Sequence, residues 1–100
     1  MLTALPGGDL IEIGLKDLAA GRHTVEALLV AIGAPRLRAL GFKLPASLPA
    51  DPEHRLYDLL EATDQDSAHS RYNALIRRLV SFERAAEWEC ERTARSERLI

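Results

Sequence analysis

Residues 68–86 read AHSRYNALIRRLVSFERAA, and the spacing of their apolar positions decides the fold. Ala68, Tyr72, Leu75, Leu79, Phe82 and Ala86 fall alternately four and three apart, which places them on one face of an α-helix. Ile76 and Val80 widen that face. The pattern predicts a helix of about five turns or more whose stripe other helices of the chain must cover. The heptad spacing lasts only about two and a half repeats, short of a coiled coil. Glu89 and Thr93 then stand where the next apolar residues would fall. The seam is therefore first an intramolecular packing face, and it becomes a dimer interface where the earlier helices leave a side uncovered.

Working back toward the N-terminus, Asp64-Gln65-Asp66-Ser67 reads as a turn, and Asp51-Pro52-Glu53 reads as a helix start. A capping carboxylate, a first-turn proline and an acid near the positive end of the dipole combine there. That helix is expected to reach about Ala62 with Leu56, Leu59, Leu60 and Thr63 on one stripe. Residues 42–50 hold Pro45 and Pro49 without helical spacing, and read as an extended linker held down by its own apolar residues. Pro35 opens a short helix over Arg36–Leu40 that Gly41 ends. Thr24 is an N-cap for Val25–Ile32, which is apolar nearly all round except at Glu26 and so belongs in the middle of the core. Asp9 is the expected cap of a helix to about Ala20, with Leu10, Ile11, Gly14, Leu15 and Leu18 on one face and Gly21 past its end.

Composition agrees. Leu (17) and Ala (15) far outnumber Val, Ile and Thr (12 together), a balance that favours helix over strand. The expectation is an all-α, compact single-domain bundle of four or five helices with a long C-terminal helix, filling residues 1–100. Residues 87–100 either continue that helix or form a mobile charged tail.

The net charge of −2 supplies no global attraction for nucleic acid or anionic lipid. Charge is uneven, however: residues 1–70 hold six Lys/Arg and ten Asp/Glu, while residues 71–100 hold seven Arg and five Glu. Cys90 is the single cysteine, so an intrachain disulfide and a cysteine-based zinc site are both excluded. The N-terminal residues lack the basic and apolar regions of a secretory signal, and the longest apolar run, Ala27–Ile32, is far short of a membrane span. A cytoplasmic protein without membrane attachment is expected.

The constellations that could carry chemistry read more simply as structure. His54, Asp58 and Glu61 form a column at metal-ligand spacing, yet they lie opposite the leucine stripe and read as a solvated face. Around the start of the last helix, Asp66, His69, Arg71 and Asn73 gather without a nucleophile in reach. Cys90 is flanked by Glu89 and Glu91, which disfavour its thiolate, and it falls on the continuing stripe as a buried thiol. Gly7-Gly8 is not followed by the Lys-Ser/Thr of a phosphate loop. No enzyme, metal or cofactor is expected.

Trp88 is the odd residue. On a continuing helix it projects opposite Leu75, Leu79 and Phe82, exposed beside Arg84 and placed for cation–π stacking. Trp and Arg are the residue types enriched at interface hot spots. The first reading is a protein-interaction module, a homodimer or a small subunit of a complex, with Arg77, Arg84 and Trp88 as its contacts. The alternative is a DNA-binding regulator with a helix-turn-helix over residues 24–41, meeting nucleic acid through Arg36, Arg38 and Lys43. Against it, the recognition helix would have fewer than two turns and almost no Asn, Gln, Ser or Thr to read bases.

Overall fold

The computed structural model describes residues 5–99, with side chains through Arg92, and places five helices there: α1 (Gly8–Ala19), α2 (Val25–Ile32), α3 (Ala34–Ala39), α4 (Pro52–Thr63) and α5 (Ala68–Leu99). No strand occurs among the described residues, so the fold is an all-α bundle with a long C-terminal helix. α2 is central, as its uniform apolarity predicts: Ala27, Leu28, Leu29, Val30 and Ala31 are all buried, and the helix touches the other four. α1 lays Ile11 and Leu18 on it, and Gly14 marks their closest approach. A Cβ at Gly14 would stand 2.4 Å from the Glu26 carbonyl oxygen and 2.4 Å from Val30 Cγ2.

The helix ends follow capping chemistry in some places and tertiary demands in others. α1 closes in a Schellman motif: Gly21 N–H donates to Leu18 O at 3.0 Å and Arg22 N–H to Asp17 O at 2.8 Å. Gly21 takes φ +76°, the left-handed conformation this motif requires. Thr24 caps α2 as expected, accepting a hydrogen bond from Ala27 N–H at 3.2 Å. Asp9 is not the cap of α1. The helix starts two residues earlier, after a left-handed Gly7 whose Cβ position lies only 2.9 Å from the Arg78 carbonyl oxygen of α5. Asp9 falls in the first turn instead, where the dipole favours an acid, and pairs with Arg78 at 3.2 Å. Asp51 precedes α4 but makes no side-chain cap, because its backbone is left-handed (φ 47°) rather than extended.

Residues 42–50 are irregular, and Phe42, Leu44 and Leu48 pack against the core as expected of a pinned linker. The Phe42 and Phe82 ring centroids are 5.7 Å apart. α4 and the first half of α5 form a hairpin through the Asp64 turn, where the Asp64 carboxylate accepts from Asp66 N–H (3.2 Å) and Ser67 Oγ (2.9 Å). Tyr57 and Tyr72 meet across this hairpin with centroids 5.8 Å apart. The α4 stripe is narrower than its spacing suggests: Leu56 and Leu60 are fully buried, but Leu59 is 38% exposed and Thr63 is exposed.

The α5 stripe packs as read, with Ala68, Leu79, Phe82 and Ala86 buried and Tyr72, Leu75 and Ile76 partly so. The helix does not stop at Ala86. At 1.5 Å per residue it is about 48 Å long, close to the longest dimension of the molecule, 53 Å, and well beyond the other two, 27 and 19 Å. The side chains of residues 93–100, which include most of the tail expected after Ala86, lie outside the described residues. Among the described residues, no helix is long and apolar enough to cross a membrane.

Candidate protein interface on the C-terminal helix

Because the bundle covers only the inner stripe of α5, the opposite face is left to solvent, and all three residues expected there lie on it. Arg77, Arg84 and Trp88 are exposed, Trp88 at 58%, the most exposed large apolar side chain among the described residues. The guanidinium over the indole is not Arg84 but Arg92, whose Cζ lies 5.1 Å from the ring centroid. Helical side chains lean toward the N-terminus, so a residue one turn later falls back onto Trp88 while Arg84 leans away. Glu89 accepts from Arg92 Nη2 at 3.1 Å and holds the guanidinium in place. Arg77 Nε donates to the Asn73 carbonyl at 3.4 Å. The result is an exposed aromatic plate under one guanidinium, among side chains of both signs: Arg84 and Arg92 beside Glu89 and Glu91.

The cations of the helix-turn-helix reading are placed differently. Arg36 is paired with Glu87 of α5, and Arg38 Nη2 donates to the Pro45 carbonyl at 2.7 Å. Lys43 is exposed on the linker. α3 spans six residues and lies against the distal part of α5, where Cys90 Sγ sits 3.9 Å from the Leu40 carbonyl. Cys90 is exposed rather than buried, because α5 outruns the core that would have covered it. The His54–Asp58–Glu61 column is solvent-facing, with His54 Nε2 3.4 Å from Asp58. No group of three His, Cys, Asp or Glu suited to a metal occurs among the described residues.

Two buried carboxylates escaped the sequence reading. Asp17 accepts from Thr24 Oγ1 at 2.6 Å and from Arg22 Nη2 and Nε at 3.0 and 3.3 Å. The Thr24 hydroxyl holds its carboxyl below the ordinary range, against the opposing effect of burial and with further help from Arg22. Thr24 therefore locks the loop and caps α2 at once. Glu83 is 6% exposed on the inner side of α5, with its Oε2 close to Gly33 at the α2–α3 junction. Burial pushes its carboxyl up, and the attraction of Arg36 offsets part of that rise. The visible signal was position: residue 83 is one turn after Leu79 and adjacent to Phe82, within the buried stripe. A groove of about 400 Å³ between the first turns of α1 and α2 and the first three turns of α5 was also missed. Leu10, Val25 and Leu75 line it, with Glu26, Arg71 and Arg78 among its polar walls.

No protein family, no curated protein and no solved structure matches this chain.

Proposed function

We propose that the chain is a protein-interaction module, acting as a homodimer or as a small subunit of a complex, and that it docks through the outer face of α5 with Trp88 as the anchor. The observation that carries this reading is the indole itself. Removing an apolar side chain of this size from solvent gains about 1.5–3 kcal/mol, and Trp88 at 58% exposure leaves much of that gain unrealised. Here it is held open, with Arg92 over the ring and Arg84 one turn before it. Engaging DNA through residues 24–41 would instead require Arg36 and Arg38 to leave Glu87 and Pro45.

The test is capture from native extract by the tagged wild-type chain and by Trp88→Ala, each with and without nuclease. A nuclease-resistant, stoichiometric protein complex is expected with the wild type. Its affinity should fall by about 2 kcal/mol, roughly thirtyfold, in the variant. Equal recovery with both proteins would refute the assignment. Material that disappears with nuclease and at high salt would move attention to Arg36, Arg38 and Lys43.

A further inference from the structure

We infer that Arg36 is shared between two carboxylates of α5 and passes from Glu87 to Glu83 when Glu83 ionises, so that pH decides whether the distal part of α5 is held against α3. The inference goes beyond the interaction reading and stands without it. Three contacts fix the geometry. Glu83 Oε2 lies 3.0 Å from where a Cβ on Gly33 would stand. Arg36 pairs with Glu87, and the Leu40 carbonyl meets Cys90 Sγ at 3.9 Å. The two series ascend together, so α3 runs alongside α5 in the same direction. Glu83 and Glu87 are one turn apart, about 6 Å of rise. Arg36 stands on α3 between Gly33 and Leu40, and its long side chain spans that distance.

The two carboxylates differ in what they lose without a cation. The Glu87 side chain is 47% exposed, so water solvates it when Arg36 leaves, and an exposed pair of this kind contributes little. Glu83 is 6% exposed, where an ionised and unpaired carboxylate is far more costly. No other cation is placed to serve it. The single charged residue of α2 is Glu26, at the opposite end of that helix from Gly33. Arg38 donates to the Pro45 carbonyl, and Lys43 is exposed on the linker. Arg36, whose attraction Glu83 already feels, is therefore drawn to it once it is charged. Because burial pushes the Glu83 carboxyl up, the exchange falls above the ordinary glutamate range, and a protonated Glu83 leaves Arg36 on Glu87. What Arg36 holds gives the exchange its effect. Ala86 is the last buried side chain of α5 among the described residues. Beyond it, two polar contacts among those residues tie α5 to the rest of the bundle, Arg36–Glu87 and the long Cys90–Leu40 contact. Losing the first frees the segment that carries Trp88.

Backbone hydrogen exchange of residues 87–92, followed by NMR and corrected for the intrinsic pH dependence of exchange, tests this on the full chain from about pH 4 to about pH 8. In the wild type, protection is expected to fall about tenfold as pH climbs through the Glu83 titration. Glu83→Gln cannot ionise and should keep the low-pH protection throughout. Glu87→Gln should show the weaker protection at every pH, since it has no pair to lose. The carboxyl carbon resonance of Glu83 supplies a second measurement. Its midpoint should drop in Glu87→Gln, where Arg36 is free to serve it, and rise in Arg36→Gln. Wild-type protection that is constant with pH, or that falls equally in Glu83→Gln, overturns the inference. So does a midpoint that drops as far on removing Glu87 from Arg36→Gln as from the wild type, because that drop is repulsion between the carboxylates alone. Circular dichroism establishes that each variant is folded. If Glu83→Gln is not, the midpoint comparison decides, since it is made in chains that keep Glu83.

Discussion

Replacing Gly14 by alanine sets two effects of opposite sign against each other, and the structure decides between them. Alanine in a helix interior is favoured over glycine by about 1 kcal/mol, because it loses less backbone freedom on folding. Its methyl, however, would sit 2.4 Å from both the Glu26 carbonyl oxygen and Val30 Cγ2, and 2.9 Å from the Glu26 carbonyl carbon. Ordinary contact begins about 1 Å further out, so α1 and α2 must separate by that amount. α2 has little room to yield, since it also packs against α3, α4 and α5. The movement falls on α1, and it strains the Asp17–Thr24 hydrogen bond of 2.6 Å that ties the two helices at their far end. Overpacking of this kind costs about 1–3 kcal/mol, and more when backbone must shift. The net expectation is a loss of about 2 kcal/mol from a total on the order of 5–15. For a domain of this size that lowers the melting temperature by about 10 °C. Urea and thermal melts followed by circular dichroism would read it, with exposed Lys16→Ala on the same helix as a near-neutral control. A Gly14→Ala protein as stable as the wild type would refute the close approach and the packing described around it.

Thr24→Ala removes the α2 cap and a donor to Asp17 together, so it should cost about 1–2 kcal/mol, visible as a lower urea midpoint at unchanged slope. Glu83→Gln should raise stability at neutral pH, because burial raises the carboxyl of the folded state above its unfolded value. A raised acid is stabilising only while protonated, so the wild type loses stability as pH climbs upward from the ordinary glutamate range. The advantage of Glu83→Gln should therefore appear across that window and vanish below it. A constant difference at every pH would show that the Glu83 charge is not the cause.

Much of the bundle was legible because glycine and proline punctuate it. The α2 cap at Thr24, the stops at Gly21 and Gly41 and the α5 stripe all follow from local chemistry that the chain cannot evade. Where the reading departs from the structure, a distant part of the chain had intervened. Asp9 lost the cap of α1 because Gly7 must pass against the backbone of α5 at Arg78, a demand that no window around residue 9 contains. Asp51 is an acceptable cap by type, but the incoming linker sets its backbone in a left-handed conformation. Asp17 is invisible to periodicity since its partners, Arg22 and Thr24, come from a loop whose path depends on the Schellman turn. Of the candidate interface, Trp88, Arg84 and Arg77 were legible from the helical wheel alone. The identity of the stacking arginine needed the lean of helical side chains as well.

The central position of α2 governs how the molecule comes apart. A helix of eight residues is too short to persist alone in water, where about 12–15 are marginal even for good sequences. α2 therefore exists only while its neighbours surround it, and those neighbours have it as their common floor. Leu28, Leu29 and Val30 are buried only among those neighbours, and losing α2 leaves α1 and the α4–α5 hairpin without the surface they share. The buried residues of all these helices form one cluster, so the bundle is expected to unfold as a single cooperative event rather than helix by helix.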